Sequence, residues 1–212
     1  EIAQCLVGSE MCIRDRKITV YRIILVILVI TALILATLVI RKNVENRKIE
    51  NNTQAVLQEI KKGNKTTTNE IDVIQEIDEE IGGYKVIGII NIPKINIEYP
   101  ILEKTNEQSL KLSITKFYGE KINQKGNVVL AGHNNLSKTM FGKINQLENG
   151  DIIELTDSQM VTVKYQVFNK YVIDPNDIDC IFPIDENTRE VTLITCTNRD
   201  KNRLVVKARE II

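Results

Sequence analysis

Glu190-Val-Thr-Leu-Ile-Thr-Cys-Thr-Asn-Arg-Asp-Lys-Asn-Arg-Leu-Val-Val-Lys-Ala208 holds two β-prone runs, Glu190–Cys196 and Arg203–Ala208, separated by six turn formers. An antiparallel hairpin across that turn sets Cys196 opposite Arg203, and directly opposed residues have Cβ atoms roughly 5 Å apart. A thiol beside a guanidinium at the mouth of a hairpin joins a nucleophile to a donor for an oxyanion. The single histidine, His133, ends another such run, Asn127-Val-Val-Leu-Ala-Gly-His133. These three residues form the candidate reactive set.

Each also has a plainer reading. A cysteine within a strand is commonly a small core hydrophobe, and Cys180, flanked by Ile178, Ile181 and Phe182, is read that way. Cys196 differs because Thr197 and Asn198 begin a polar loop straight after it. A lone histidine is more often structural, and an arginine is usually a solvated charge. Arg189 and Arg209 lie six or seven residues along their strands from Cys196 and Arg203, some 20 Å away at about 3.3 Å per residue. Arg199 sits in the loop and stays a competitor for the role given to Arg203.

Outward from this hairpin, short β-rich runs follow one another from Tyr84 onward. Val86–Ile90, Ile95–Ile97 with Tyr99–Leu102, Asn127–Ala131, Ile152–Leu155, Val161–Val172, Val191–Cys196 and Leu204–Ala208 all predict strands. Phe141, Ile144 and Leu147 predict a short helix over Thr139–Leu147, and Asn149-Gly-Asp151 predicts a turn after it. Many short strands with little helix indicate a closed β-barrel or a sandwich.

The chain has 212 residues, no formal net charge and 43% hydrophobic content, enough for one good core plus accessories. From Tyr84 to Ile212 there are 17 Lys and Arg against 16 Asp and Glu, so no nucleic-acid surface is expected. Ile23–Ile40 is free of charge and broken only by Thr31 and Thr37. At 1.5 Å per residue it spans about 27 Å, close to the hydrocarbon thickness of a bilayer. No small-x-small cleavage site follows, so an uncleaved signal anchor is expected, with a buried core helix as the alternative. Lys17 and Arg22 precede the span while Arg41, Lys42, Arg47 and Lys48 follow it, so charge alone does not set its orientation.

Met11-Cys-Ile-Arg-Asp-Arg16 resembles the translated end of a sequencing-library adapter. Residues 1–16 are therefore expected to be foreign and disordered, and 17–22 to be a cytoplasmic stub. Cys5 and Cys12 then leave the cysteine count, and Cys180 with Cys196 is no disulfide framework. One histidine and no CxxC pair predict no metal site. Residues 41–83 read as a polar stalk, with Ile71, Ile74, Ile77 and Ile81 at helical spacing until Gly82-Gly83 breaks it. That stripe is expected to dock on the domain that follows.

Thr192-Leu-Ile-Thr-Cys196 followed by Arg203-Leu-Val-Val resembles the active-site signature of the sortases, the cysteine transpeptidases of Gram-positive surfaces. Ala131-Gly-His133 resembles their histidine motif. Ile89-Ile-Asn-Ile-Pro-Lys-Ile95 with Tyr99-Pro-Ile-Leu102 resembles their opening strands, and Val172-Ile-Asp-Pro-Asn-Asp177 the stretch before the catalytic strand. The resemblance covers residues 84–212, with four motifs in family order. It implies a closed eight-stranded β-barrel with short helices, preceded by one transmembrane helix and held outside the cytoplasm. It implies that Cys196 attacks a peptide bond in a C-terminal sorting signal and forms an acyl-enzyme. By the same resemblance His133 protonates the leaving amine and then deprotonates the incoming one, from a peptidoglycan cross-bridge or a pilin lysine. Arg203 would hold the substrate and its oxyanion, with Thr195 and Ala131 as pocket walls, and no cofactor is implied. The short loop after Cys196 points away from class B, and the lack of a second apolar tail away from class C, leaving class A or a class D-like enzyme. The loop Gly119-Glu-Lys-Ile-Asn-Gln-Lys-Gly126 does not support the calcium site of some class A members.

Two other readings stand beside this one. A hydrolytic cysteine protease would need the same pair of residues, and a membrane-tethered β-barrel binding module would only pack Cys196. At reference pKa values of about 8.5 for a thiol and about 6.5 for an imidazole, a thiolate beside an imidazolium is present in roughly 1% of molecules at pH 7. Either the site perturbs the pair or a small active fraction carries turnover.

Overall fold

The computed structural model describes residues 8–65, 77–135, 137–198 and 200–211. Two compact units are present, one ending at Ile49 and the other comprising Glu50–Ile212. Helix α1, Gly8–Lys65, runs through the first and into the second. It includes Gly8–Arg16, for which no order was expected. From Ile23 to Ile40 every large apolar side chain is at least 48% exposed. The two hydroxyls in this run donate back along the helix, Thr31 to the Leu28 carbonyl at 2.9 Å and Thr37 to the Ile34 carbonyl at 2.7 Å. No polar side chain in it then needs an outside partner. The segment is long and apolar enough to cross a membrane.

The second unit is a barrel. Its strands are β1 (Glu80–Ile81), β2 (Tyr84–Ile92), β3 (Ile97–Leu102), β4 (Ile114–Gly119), β5 (Gly126–Ala131), β6 (Ile152–Asp157), β7 (Thr162–Ile173), β8 (Arg189–Thr197) and β9 (Asn202–Glu210). Their order is β1-β2-β3-β4-β5-β8-β9-β7-β6, and β2 also pairs with β6. That pairing closes the eight strands β2–β9, while β1 adds only two residues to the start of β2. Pairs β3–β4 and β5–β8 are parallel, and the others are antiparallel. At the closing seam Gly88 pairs with Ile101 on one side and Asp157 on the other. A Cβ there would lie 2.5 Å from the Thr156 carbonyl oxygen, so only glycine lets the two backbones approach.

Alternation sets the two faces of the strands. Val128, Leu130, Val191, Leu193, Val206 and Ala208 point into the barrel core with Ile90, Ile153, Leu155 and Tyr165. Asn127, Val129, Glu190, Thr192, Ile194, Cys196, Arg203, Val205, Lys207 and Arg209 take the opposite parity on β5, β8 and β9. This outer face carries the candidate site.

Several local expectations change. Thr139–Leu147 is no α-helix: Met140 has a φ of 49°, and only Ile144–Gln146 forms a 3-10 turn. The three apolar residues still share one face, because the Ile144 and Leu147 amides bond back three residues to Phe141 and Ile144. Ile95 closes a 3-10 turn, Pro93–Ile95, and is not in a strand. Helix α2, Glu107–Leu112, was not anticipated, although Asn106 caps it by accepting from the Gln108 and Ser109 amides. In the stalk, Ile71 and Ile74 lie outside the described residues, Ile77 is not helical and Ile81 is in β1. Both Ile77 and Ile81 are buried against Val86, Ile89 and Leu102 together with Leu57 and Ile60 of α1. Thr53 of α1 donates to the Leu112 carbonyl at 2.9 Å. The compact unit thus begins at Glu50, ahead of the Tyr84 boundary expected from the change of pattern.

Candidate active site

β8 and β9 pair antiparallel with Cys196 opposite Arg203, in the register the two β-prone runs require. The ladder continues one pair further, to Thr197 and Asn202, so the connecting loop has four residues. Asn198 and Asp200 adopt positive φ in it, a conformation that asparagine and aspartate tolerate.

β5 supplies the third residue. It runs parallel to β8 with its last residue, Ala131, beside Ile194; two residues further on are His133, just past the end of β5, and Cys196 in β8. Neighbouring strands lie about 4.8 Å apart, so the two residues end adjacent strands at one level. Three bonds fasten the ends together. The Gly132 backbone amide donates to the Ile194 carbonyl at 3.3 Å, the Thr195 hydroxyl to the Gly132 carbonyl at 2.7 Å, and the Asn134 side-chain Nδ2 to the Cys196 carbonyl at 2.9 Å. Gly132 has no room for a side chain, because a Cβ would meet the Phe141 ring at 2.8 Å.

Cys196, His133 and Arg203 line one cavity of about 250 Å³, and Thr195 and Ala131 line it too. Its far side comes from Thr105, Leu110 and Phe117 around α2 and β4, neither of which was anticipated. A third wall, Pro175 to Ile181, comes from the connection between β7 and β8. The lining is mostly apolar, so a peptide bound there loses its water and feels the charged groups more strongly. Cys180 lies within this wall, buried against Ile173 and Val205, in agreement with its reading as a core thiol. Arg199 lies outside the described residues. Arg189 and Arg209 are at the other end of the hairpin, paired with Glu210 and Glu190. Among the described residues no group of three or more His, Cys, Asp or Glu is placed to hold a metal.

Burial pushes the Cys196 thiol above its ordinary range. The Arg203 guanidinium pulls it down, and the Asp200 carboxylate in the loop raises it further by accepting a hydrogen bond from the thiol and by its charge. Arg203 itself donates to the carbonyls of Asp200 and Asn202, at 3.1 and 3.2 Å. The guanidinium is therefore seated on the loop it would share with a substrate. Asn134 and Asp200 were not singled out in the sequence. Their only signal was adjacency to His133 and to the hairpin turn.

The family model described as "Sortase domain" matches residues 90–211. Sortase A of Bacillus anthracis is 29% identical over 143 residues, 66% of this chain and 67% of its own. Sortase D of Bacillus subtilis (strain 168) is 29% identical over 135 residues, 63% of this chain and 65% of its own. The chain thus spans about two thirds of the length of these relatives. Among solved structures, the sortase D5 transpeptidase of Clostridium perfringens has a TM-score of 0.55 at 29% identity, covering 60% of this chain and 80% of that one. A lid mutant of sortase A from Corynebacterium diphtheriae reaches 0.58 at 27% identity, covering 77% of this chain and 95% of that one. The family model covers more than half of the chain, the solved relatives share its closed barrel, and this chain belongs to the sortase family.

Proposed function

We propose that the chain is a membrane-anchored cysteine transpeptidase, a thiol peptidase and acyltransferase in one. It cuts a C-terminal sorting signal of secreted proteins and transfers the new acyl end to a cell-wall or pilin amine. The observation that carries this reading is that Cys196, His133 and Arg203 line one cavity from the adjacent ends of three neighbouring strands.

In the proposed reaction the Cys196 thiol passes its proton to His133 as the sulfur attacks the scissile carbonyl carbon, and the carbonyl oxygen takes up negative charge. Arg203 is the donor for that oxyanion, a task suited to a rigid fork of N–H groups. The C–N bond then breaks, His133 gives its proton to the departing amine, and a thioester remains on Cys196. An incoming amine attacks the thioester, His133 accepts the amine's proton and returns it to the departing Cys196 sulfur, and the amide product leaves with the thiol restored. Thr195 and Ala131 form walls for the acyl part of the peptide.

The names of the curated relatives, a Sortase A and a Sortase D, support the class A or class D-like assignment. Residues 23–40 would anchor the chain as a single span, with 17–22 in the cytoplasm and the barrel outside. Residues 1–16 would be foreign to the protein.

The test incubates the detergent-solubilised full chain with a library of sorting-signal peptides, with and without an amine acceptor. A covalent acyl-enzyme on Cys196 and an amine-dependent amide product are expected. Hydrolysis alone in excess amine would replace transpeptidase by protease. No adduct and no cleavage across the library would leave a binding module.

A further inference from the structure

The outer face of β5, β8 and β9 has reactive groups at one end and buried charge at the other. Cross-strand pairing sets Thr192 beside Val129 and Lys207, and Glu190 beside Asn127 and Arg209. Lys207 is four residues from Arg203 and Glu190 is six from Cys196, roughly 13 and 20 Å at about 3.3 Å per residue. Neither touches the reacting atoms. Over this face runs the β7–β8 connection, residues 174–188, whose only regular piece is the 3-10 turn Asp179–Ile181. It supplies the third wall of the cavity.

Apolar packing fastens this connection poorly. Cys180 packs on Ile173 and Val205, yet Ile178, Phe182 and Ile184 are each more than half exposed. Polar side chains of the barrel hold its backbone instead. The Asn127 amide donates to the Ile181 carbonyl at 2.8 Å, the Lys207 ammonium donates to the Phe182 carbonyl at 2.9 Å, and the Ile184 amide donates to the Glu190 carboxylate at 3.0 Å. Glu190 also accepts from Arg209 at 2.9 Å and lies 3.9 Å from the Lys207 ammonium. The Glu190 side chain is fully buried and that of Lys207 is 5% exposed. Burial pushes the Lys207 ammonium below its ordinary range, with Glu190 pulling it back up. Charges this deep are expensive, and their retention is best understood where they fix one geometry among several.

We propose that Glu190 and Lys207 are positioning residues for the reaction: they clasp residues 178–184 to the barrel and so keep the third wall of the substrate cavity formed before substrate arrives. The kinetic part rests on the transpeptidase reading, whereas the clasp itself does not. Binding then carries no cost for ordering that wall.

The experiment compares the full chain with Lys207→Met, which keeps the stem and removes the ammonium, and with the double variant Glu190→Gln/Lys207→Met, which removes both charges. Folding is checked by thermal melting. Three readouts are taken: KM and kcat for a sorting-signal peptide, amide hydrogen exchange, and iodoacetamide alkylation of Cys196 followed by mass spectrometry. Lys207→Met is expected to raise KM tenfold or more with kcat within threefold. Exchange at 178–184 rises at least tenfold while the barrel strands keep their protection, and Cys196 alkylation stays within twofold. Glu190→Gln alone, which leaves an acceptor for the Ile184 amide, is expected to be milder. Should Lys207→Met fail to fold, the double variant, whose one unpaired charge, Arg209, is 40% exposed, carries the same expectations. Unchanged exchange at 178–184 in a folded variant overturns the clasp, as does a fall in kcat with KM unaltered. If the wild-type chain transfers no peptide, the transpeptidase reading falls and the exchange measurement alone decides the clasp.

Discussion

The Thr195 hydroxyl donates to the Gly132 carbonyl at 2.7 Å, and this bond ties the strand end bearing Cys196 to the one bearing His133. Thr195→Val keeps the branched shape and removes the donor. A buried carbonyl deprived of its partner costs about 1–3 kcal/mol. The expected outcome is a lower thermal midpoint and a kcat reduced at least tenfold, with Thr195→Ser near wild type. A Val variant retaining kcat within twofold would show that the bond does not align the pair.

Titration of Cys196 has a defined sign. Burial and Asp200 raise its pKa and Arg203 lowers it, so the pH profile of iodoacetamide alkylation has its midpoint above the ordinary thiol value of about 8.5. Asp200→Asn is expected to move that midpoint down and Arg203→Gln to move it up. The opposite order in stopped alkylation assays would remove Asp200 from the environment of the thiol. For stability, Cys180 and Cys196 both hold their protons more tightly folded than unfolded. Their contribution is complete below the unfolded thiol pKa and is lost as pH rises through the raised folded values.

The hairpin was legible because both of its strands are strongly β-prone and only turn formers separate them, which leaves one register. The run Asn127–Ala131 was legible for the same reason and falls within β5, two residues ahead of His133. β4 was not: Phe117 and Tyr118 are half exposed, so Ile114–Gly119 shows no alternation of apolar and polar residues. The region 139–147 misled because residues at i, i+3 and i+6 suit a three-residue turn as well as an α-helix. Docking of α1 was hidden because, among its described side chains, only Thr53, Leu57 and Ile60 are buried, a stripe too thin to stand out within a polar segment. The third wall of the cavity is irregular backbone held by buried polar side chains, and no periodic pattern encodes such a contact.

α1 sets where the domain can be cut. Leu57 is 1% exposed and packs with Ile77, Ile81, Val86, Ile89 and Leu102. A fragment beginning at Glu50 is expected to melt higher than one beginning at Ile71, which loses that packing and the Thr53 bond to Leu112. Leu57→Ala in the longer fragment should cost about 2–5 kcal/mol in urea unfolding. Equal melting temperatures for the two fragments would mean that the helix only rests on the barrel.

The reactive trio makes the sharpest demand. Cys196→Ala should abolish the acyl-enzyme, because Cys180 is buried in an apolar cluster and burial raises its pKa as well. His133→Ala should be nearly as severe, since the chain has no other imidazole. Arg203→Lys keeps the charge, but an ammonium carries all its donors on one atom and lacks the planar fork by which one guanidinium nitrogen holds the carbonyls of Asp200 and Asn202 while another faces an oxyanion. Removing one such donor costs about 10²–10³ in kcat, and a loss of that size is expected. Arg199→Ala should change kcat less than threefold. The measurement is peptide transfer to an amine, with folding followed by circular dichroism. If Arg203→Lys turned over near the wild-type rate while Arg199→Ala was dead, the oxyanion donor would be the loop arginine, and the pairing of Cys196 with Arg203 would be structural only.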